Sequence, residues 1–395
     1  MGIILSDAGH HSRLLPLTFT RPVGQLRPAV LRIAEGWYVR TGLGVGYRTE
    51  AHLADMFPLL HQGPCREVDG ALYPTDELVS AVLELPPAHM LVHEGRVLAF
   101  HTDGTAPAAV DWRIPPATYT AVPFTGEVIR FERPWHLFQY AGRAIALDFA
   151  LLTEGRRSQP PGTYNTIIGD PGLVFLEEGA VVEASILNTT NGPIYIGRHA
   201  EVMEGAMVRG PFVLGDHSQL KMGAKIYGPT AIGPECRIGG EVNNSVVIGF
   251  SNKGHDGFLG NSVLGEWCNL GADTNTSNLK NTYGPVQVYS YTERALVDTG
   301  LQFCGLVMGD HAKSGINTMF NTGTVVGVAA NVFGGGFPPK HVPGFAWGGS
   351  DDAVCDIERA LLTARRVMER RNVVLSPPAE AVLRHVFALE RAGGR

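Results

Sequence analysis

Charged residues and cysteines are both scarce in this chain. Only 18% of its 395 residues are Asp, Glu, Lys or Arg, and no block of like charge occurs. The net charge of −6 therefore gives no sign of a nucleic-acid or anionic-membrane binder. The five cysteines lie far apart along the chain, which excludes a disulfide framework and a Cys-x-x-Cys metal knuckle. This cysteine usage fits a reduced, cytoplasmic location.

Long apolar runs are also missing. No run reaches the roughly 18 residues that a membrane span needs, so we expect a soluble protein that does not bind membranes. Glycine, by contrast, is abundant at 49 residues, and many glycines indicate many tight corners. With 44% hydrophobic residues the chain can fill more than one core.

The amino-acid composition of the sequence changes near residue 160. Residues 1–160 predict a mixed α/β domain, with an opening strand Ile3–Leu5 and a hairpin turned by Glu94-Gly95. Residues 165–349 are rich in Gly and Asn. Residues 350–395 predict a helix over 351–371, started by Ser350-Asp351-Asp352, and a second helix from Pro377-Pro378.

A six-residue repeat dominates the middle segment. Every sixth residue from 196 to 238 is aliphatic, and shorter runs of the same kind occur at 168–186 and 308–332. A period of six excludes helix and ordinary strand patterns and predicts a left-handed parallel β-helix, in which each hexad forms one face and one corner. We expect eight to ten coils. The members of the three runs are Ile196, Val202, Val208, Leu214, Leu220, Ile226, Ile232 and Ile238; Ile168, Val174, Ala180 and Ile186; and Met308, Ser314, Phe320, Val326 and Val332.

The repeat is broken between 239 and 257 and again over 274–301. We expect the breaks to protrude as loops, which often carry function. Enzymes built on such β-helices are usually trimers that transfer an acyl group from a thioester at the clefts between subunits. That chemistry needs a base for the nucleophile's proton and N–H donors for the oxyanion. Of the 14 histidines, His255 alone lies in a break, between glycines, where it is either a base or merely solvated.

The residues around His255 carry a specific resemblance. The segments 252–260 and 263–272 resemble the acetyltransferase half of the bifunctional N-acetylglucosamine-1-phosphate uridylyltransferase/glucosamine-1-phosphate acetyltransferase family. Over nearly its whole length the chain also resembles a divergent, Bacteroidetes-type group of sugar nucleotidyltransferases within it. Leu15–Pro22 and Gly300–Gly305 are typical of that group.

The resemblance implies roles for individual residues. His255 matches the family's base, and Glu241 matches the acid that polarises that base. Lys225 replaces an arginine that holds the sugar phosphate. The remaining matches are Asn269 for substrate binding, Ala272 for acetyl-CoA binding, Asn243 in place of a phosphate-binding lysine and Phe258 in place of a tyrosine.

The N-terminal segment resembles the nucleotide-binding loop of the same family. Ala8, Gly9 and Arg13 match the loop, and Arg27 is a candidate substitute for a missing lysine. His11 stands at a glycine position and Val23 at the lysine position. Family members use Mg²⁺ for nucleotidylyl transfer, but residues 1–160 contain no Gly-Asp pair of the type that presents a metal ligand, so the sequence identifies no metal ligands.

The leading hypothesis is a homotrimer that acetylates a hexosamine 1-phosphate, glucosamine 1-phosphate by resemblance, with acetyl-CoA as co-substrate. UTP or another nucleoside triphosphate would serve the N-terminal domain, whose nucleotidylyltransferase activity the sequence leaves open. One alternative is acetylation of a nucleotide-linked sugar with an inactive N-terminal domain. Another is a non-catalytic β-helix scaffold, against which the His-Asn-Glu set speaks. Arginine pairs in the tail, 365–366 and 370–371, are interpreted as a solvated face, with phosphate contact as the alternative.

Overall fold

The computed structural model describes residues 2–60, 63–102, 112–348 and 353–393. Contacts divide the chain into two units. The first comprises Met1–Arg27 and Leu31–His136, and the second comprises Pro28–Val30 and Leu137–Arg395. The predicted helix start at 350–352 lies outside the described residues.

The first unit contains a mixed six-stranded sheet. Its elements are β1 (Ile3–Ser6), α1 (Ile33–Thr41), β2 (Val45–Arg48), β3 (Cys65–Asp69), α2 (Asp76–Glu84), β4 (His89–His93), β5 (Arg96–Thr102) and β6 (Thr120–Pro123). The strand order is β2-β1-β3-β5-β4-β6, with β1 parallel to both β2 and β3. The carboxyl ends of these three strands therefore meet at one edge, where ligands bind in open sheets. The predicted hairpin is confirmed as β4–β5, turned by Glu94 and Gly95 in left-handed conformation.

The second unit is the predicted parallel β-helix, preceded by the helix α3 (His136–Thr153). Its coils have three faces, named here in the order in which the chain passes through them. Face 1 comprises Thr166–Ile168, Ile186–Asn188, Met207–Arg209, Lys225–Tyr227, Glu241–Asn243, Phe258–Gly260, Asn275–Thr276 and Met319–Phe320. Face 2 comprises Val174–Leu176, Ile194–Ile196, Phe212–Leu214, Thr230–Ile232, Val246–Gly249, Val263–Glu266, Val307–Met308, Val325–Val326 and His341–Val342. Face 3 comprises Val181–Val182, Glu201–Val202, Gln219–Leu220, Arg237–Ile238, Asn252–Lys253, Lys313–Ser314 and Asn331–Val332. The nine strands of face 2 agree with the expected number of coils.

The hexad residues form the core of the solenoid. All eight members of the run 196–238 are buried, and so are all five of the run 308–332. Stacked aliphatic side chains inside the coils supply the apolar burial that holds such a fold together. In the earlier run Val174 lies in the core and Ala180 packs against it, but the prediction is wrong at Ile168 and Ile186, which are exposed, with Leu187 pointing inward instead.

The two breaks in the repeat have different structures. Leu214 pairs with Ile232, eighteen residues on, whereas Ile232 pairs with Val247, only fifteen residues on. The first break is therefore a shortened coil, and the prediction of a protruding loop there is wrong. The second break does leave the coil, since it contains the antiparallel pair Gln287–Ser290 and Ala295–Asp298.

Two helices follow the solenoid. Helix α4 (Ile357–Glu369) begins after Asp356, whose carboxylate accepts hydrogen bonds from the first turn, and α5 (Pro377–Gly393) begins at the predicted proline pair. Within the described part of the chain, no helix is long and apolar enough to cross a membrane. The cytoplasmic location stays a prediction.

Candidate functional site

Four of the predicted site residues lie on face 1. Lys225, Glu241 and Phe258 occupy the same register position in three neighbouring strands, and Asn243 lies two residues beyond Glu241. Residues two apart on a strand point to the same side, and this side is outward, because the intervening Val242 is fully buried. The four side chains therefore line one outer surface.

His255 lies at the corner that joins face 3 to face 1. It sits between the strands Asn252–Lys253 and Phe258–Gly260, and it is exposed. No hydrogen bond or ion pair to its ring involves the residues that the structure describes. In particular, the carboxylate of Glu241 is not within ion-pair distance of the ring in this single chain. The imidazole thus faces solvent beside the face 1 surface, without an internal partner.

Asn269 and Ala272 belong to the next coil. The N–H of Asp273 donates to the carbonyl of Asp256 at 3.1 Å, so the corner with Ala272 stacks directly on the corner with His255. The N–H of Ala272 donates to no acceptor in the described part of the chain. Asn269 lies on face 3, where it bridges Asn252 and the strand of Lys313. All the predicted residues of the solenoid thus gather around one edge within four consecutive coils.

The shortened coil lies directly beneath His255. Its corner is reduced to Gly239-Gly240, and a Cβ on Gly240 would stand 2.9 Å from the Lys253 ammonium and 2.7 Å from the carbonyl of Gly257. Gly240 also has a φ of +69°, which favours glycine. The break in the repeat therefore shortens the coil directly beneath the corner that carries His255.

Lys253 is a site residue that the sequence analysis missed. It pairs with the inward-pointing Ile238 and is only 2% exposed. Its ammonium donates to the carbonyl of His255 at 2.6 Å. Burial lowers the pKa of Lys253 to about 8, against the opposing effect of Asp256 and Asp273. A lysine at an aliphatic hexad position was the signal that could have revealed it.

Two cavities adjoin this edge of the solenoid. On face 1 a cavity of about 410 Å³ is lined by Lys225, Arg209 and Tyr227 among others. On face 3 a cavity of about 280 Å³ is lined by Asn269 and Arg371 among others. The Arg371 guanidinium donates to the side-chain oxygen of Asn252 at 3.1 Å, and its side chain is 16% exposed. The interpretation of this arginine as part of a solvated face is therefore wrong.

The loop after β1 carries the predicted nucleotide-binding residues. Ala8 and Gly9 both have positive φ, and no atom lies within 4 Å of a Cβ built on Gly9. Arg13 lies 3.9 Å from the carboxylate of Glu132. Arg27 is buried and pairs with Glu35 of α1 at 3.2 Å.

The two departures from the family's loop both point into the protein. The ring of His11 is buried against His52 and near Glu50. Val23 is fully buried, and its N–H donates to Asp7 at 2.8 Å. A lysine restored at position 23 would therefore bury its charge, which costs far more than it could contribute.

The described residues do not fit a magnesium ion at this edge. Asp69, at the end of β3, is 1% exposed and contacts His10 at 3.2 Å and Arg130 at 3.1 Å. The neighbouring Asp7 is buried, and both of its carboxyl oxygens accept hydrogen bonds, Oδ1 from the N–H of Val23 and Oδ2 from the hydroxyl of Thr49. No cluster of three or more potential ligands occurs in the described ranges.

Comparison with known families agrees with the class of fold. Residues 3–157 match the family model described as sugar nucleotidyl transferase. Those residues include the loop after β1 and the whole six-stranded sheet.

Three relatives are similar to parts of this chain. Bifunctional protein GlmU of Methanocaldococcus jannaschii is 34% identical over 87 residues, which is 22% of this chain and 21% of the relative. That of Methanococcus aeolicus is 31% identical over 87 residues, 22% of this chain and 20% of the relative. The bifunctional sugar-1-phosphate nucleotidylyltransferase/acetyltransferase of Sulfurisphaera tokodaii is 31% identical over 172 residues, 43% of this chain and 42% of the relative. The matches thus span between a fifth and two fifths of those relatives, and they confirm the resemblance drawn from the sequence.

Proposed function

We propose that the solenoid transfers an acetyl group from acetyl-CoA to the amine of a hexosamine 1-phosphate, with His255 as general base. The observation that carries this proposal is the gathering of Lys225, Glu241, Phe258, His255 and Ala272 around one solvent-facing edge. One of the relatives, that of Sulfurisphaera tokodaii, is named as an acetyltransferase, which supports the same reaction class.

His255, Ala272 and Glu241 each have a role in this reaction. The amine nitrogen attacks the thioester carbonyl while His255 accepts the amine proton, which forms the C–N bond and an oxyanion. The unused N–H of Ala272 is an oxyanion donor of the kind that acyl transfer needs. Collapse breaks the C–S bond, and His255 returns the proton to the CoA thiolate. Glu241 would polarise His255 once substrate closes the site, since catalytic hydrogen bonds often tighten only in the substrate complex.

The cavity on face 1 suits the sugar phosphate. Lys225 and Arg209 supply two positive charges beside the apolar Met207 and the ring of Tyr227. Cationic side chains bind a phosphate, and an apolar ring face packs against a sugar. Lys225 gives a point charge instead of the bidentate contact of an arginine, so we expect weaker phosphate binding than an arginine would give.

We further propose a homotrimer with the sites at the clefts between solenoids. Exposed apolar side chains run along face 1, with Ile168, Ile186, Met207 and Tyr227 each between 39% and 46% exposed. A contiguous apolar surface of this kind indicates a protein–protein interface. Light scattering should give three times the chain's 42.5 kDa. Full acetyl-transfer activity at the mass of one chain would contradict the trimer.

Product analysis by mass spectrometry tests the function directly. The protein is incubated with glucosamine 1-phosphate, acetyl-CoA and UTP together, and thiol release is followed in parallel. We expect N-acetylated sugar phosphate and one CoA thiol for each product. Thiol release without acetylated sugar phosphate would refute the proposal.

A second candidate substrate is an amino sugar already linked to a nucleotide. The pairing of Asp69 with His10 and Arg130 favours it, since a first unit whose described carboxylates do not fit a metal would leave nucleotide attachment to another enzyme. The same assay with a nucleotide-linked amino sugar separates the two substrates by their kcat/KM.

A further inference from the structure

A cluster of charged side chains lies at the carboxyl edge of the first unit's sheet. Two carboxylates, Asp69 and Glu132, are surrounded by Arg13, Arg96 and Arg130. Three guanidinium groups thus face these two carboxylates among the described residues. This inference concerns the first unit alone and does not depend on the acetyl transfer proposed for the solenoid.

The inner half of the cluster is closed. Asp69 is hydrogen-bonded by His10 and by the N–H of Ala71 at 2.9 Å, and it is paired with Arg130. Burial alone would raise the pKa of Asp69, but His10 and Arg130 together hold it below its usual value. The carboxylate is therefore ionised, and its charge is already neutralised by protein side chains.

The outer half of the cluster is open to solvent. Arg96 bonds to Glu132 at 2.5 Å and Arg13 lies 3.9 Å from the same oxygen, yet their side chains remain 33% and 31% exposed. Gly9 lies in the loop that carries Arg13, with open space on its Cβ side. Its N–H donates to no acceptor in the parts of the chain that the structure describes. An arriving anion would therefore meet two guanidinium groups and a backbone donor.

Two guanidinium donors in the cluster have no acceptor among the described residues. They are the buried nitrogens Arg130 Nη2 and Arg96 Nε. Buried polar groups are normally hydrogen-bonded, so unsatisfied guanidinium donors beside two part-exposed arginines point to an anionic ligand. Arginine forks are matched in geometry to phosphate oxygens.

We propose that His10 and Arg130 take the place of a divalent cation at Asp69, and that the first unit binds a phosphate group through Arg13 and Arg96 without metal. The phosphate could be carried by a nucleoside triphosphate or by a sugar phosphate, because both present the same oxygens. A metal-dependent site would instead leave Asp69 accessible, which this arrangement does not do.

Binding to the full-length protein is measured by calorimetry with UTP, glucosamine 1-phosphate and orthophosphate as separate probes. Each titration is run with excess EDTA and with excess MgCl₂. We expect at least one probe to bind as tightly in EDTA as in MgCl₂ and to be weakened by Arg13→Gln. That probe identifies the source of the phosphate, because binding in the face 1 cavity of the solenoid would not respond to this variant. Binding that appears only with MgCl₂, or no binding of any probe, would overturn the proposal.

Two variants locate the site, and one controls for charge. Arg13→Gln and Arg96→Gln should each weaken metal-free binding by about tenfold, the usual scale for a lost charge-assisted hydrogen bond. Arg365→Gln removes the same charge from an exposed arginine–carboxylate pair between α4 and α5, and it should leave binding unchanged. Thermal melting verifies that each variant is folded. If the metal-free binding of every probe survived both site variants unchanged, the proposal would also be overturned.

Discussion

The two candidate sites of this chain differ in the burial and the ion pairing of their charged side chains. At the carboxyl edge of the first unit, Asp69 is buried and paired with His10 and Arg130. At the solenoid edge, His255 and Lys225 are exposed and make no ion pair within the described ranges. A buried carboxylate that is already paired is not accessible to a metal ion, whereas exposed groups remain available to a substrate.

The comparison implies that the solenoid and the first unit have different roles. The solenoid edge presents a base, a cation and an unused N–H of the kinds that acyl transfer needs. Among the described residues of the first unit, Asp69 at the end of β3 is buried and paired, so it is not accessible to a metal for nucleotidylyl transfer. We therefore expect chemistry at the solenoid and phosphate binding at the first unit.

Removing the proposed base should have the largest effect. His255→Ala should lower kcat for acetyl transfer by about 10²–10⁴-fold, the usual contribution of a positioned base. The KM for acetyl-CoA should change little, because the imidazole acts on the amine. Steady-state kinetics with glucosamine 1-phosphate measures both.

A matched histidine controls for the effects of substitution at a corner. His217 is also exposed at a solenoid corner, between faces 2 and 3, where it stacks on His199. His217→Ala should retain wild-type kcat. If His255→Ala lost less than about threefold, another group would take the proton, since a positioned base contributes far more than that.

The buried carboxyl of Asp7 should dominate the pH dependence of the first unit's stability near neutral pH. Burial raises the pKa of Asp7 from 3.8 to about 7, so the folded state binds this proton more tightly than the unfolded state. Stability from this group is full below the unfolded pKa and is lost as the pH rises towards 7. Asp7→Asn should therefore be neutral near pH 4 and stabilising by roughly 4 kcal/mol near pH 8, by thermal unfolding.

An exposed carboxylate provides the contrast for Asp7. Asp76 lies in the first turn of α2 and pairs with Arg40 at 2.9 Å, with most of its side chain exposed. Asp76→Asn should give no such gain in stability near pH 8, because the carboxylate that it removes is largely exposed and paired with Arg40. The same gain for both variants at high pH would mean that Asp7 is not the group that titrates.

The smallest expected effect concerns the buried lysine beneath His255. Lys253→Met removes the donor to the His255 carbonyl, so the corner should loosen and kcat should fall by about tenfold. Because Lys253 acts through another residue, Lys253→Arg should restore part of the rate and the KM for acetyl-CoA should stay constant. Lys340→Met, which removes another lysine bonded to a backbone carbonyl, should have no effect. Equal kcat in Lys253→Met and wild type would contradict a positioning role.

Much of the fold could be predicted from the sequence because one period governs it. The residues of the run 196–238 are all buried, since each hexad places its aliphatic residue at the same point of the coil. The phase failed at Ile168 and Ile186, where the adjacent Ile167 and Leu187 are also aliphatic. A period alone does not choose between neighbouring aliphatic residues.

The site was predicted less completely, for physical reasons. Local motifs brought His255, Glu241 and Lys225 to one edge, because register carries residues of successive coils onto the same surface. The pairing of Asp69 with Arg130 joins segments far apart in the chain, and no local pattern indicates it. The contact of Arg371 with Asn252 is likewise long-range, so the tail could not be assigned from its charges.

The central claim is that the solenoid catalyses acetyl transfer, whereas the first unit catalyses nucleotidylyl transfer inefficiently. Acetyl transfer and nucleotide-sugar synthesis from UTP are measured in one preparation, with MgCl₂ present. We expect acetyl transfer to exceed nucleotidylyl transfer by at least about a hundredfold, because each 1.4 kcal/mol of missing charge stabilisation costs about tenfold in rate. Comparable rates for the two reactions would contradict the account and would mean that the paired carboxylates of the first unit do not prevent its chemistry.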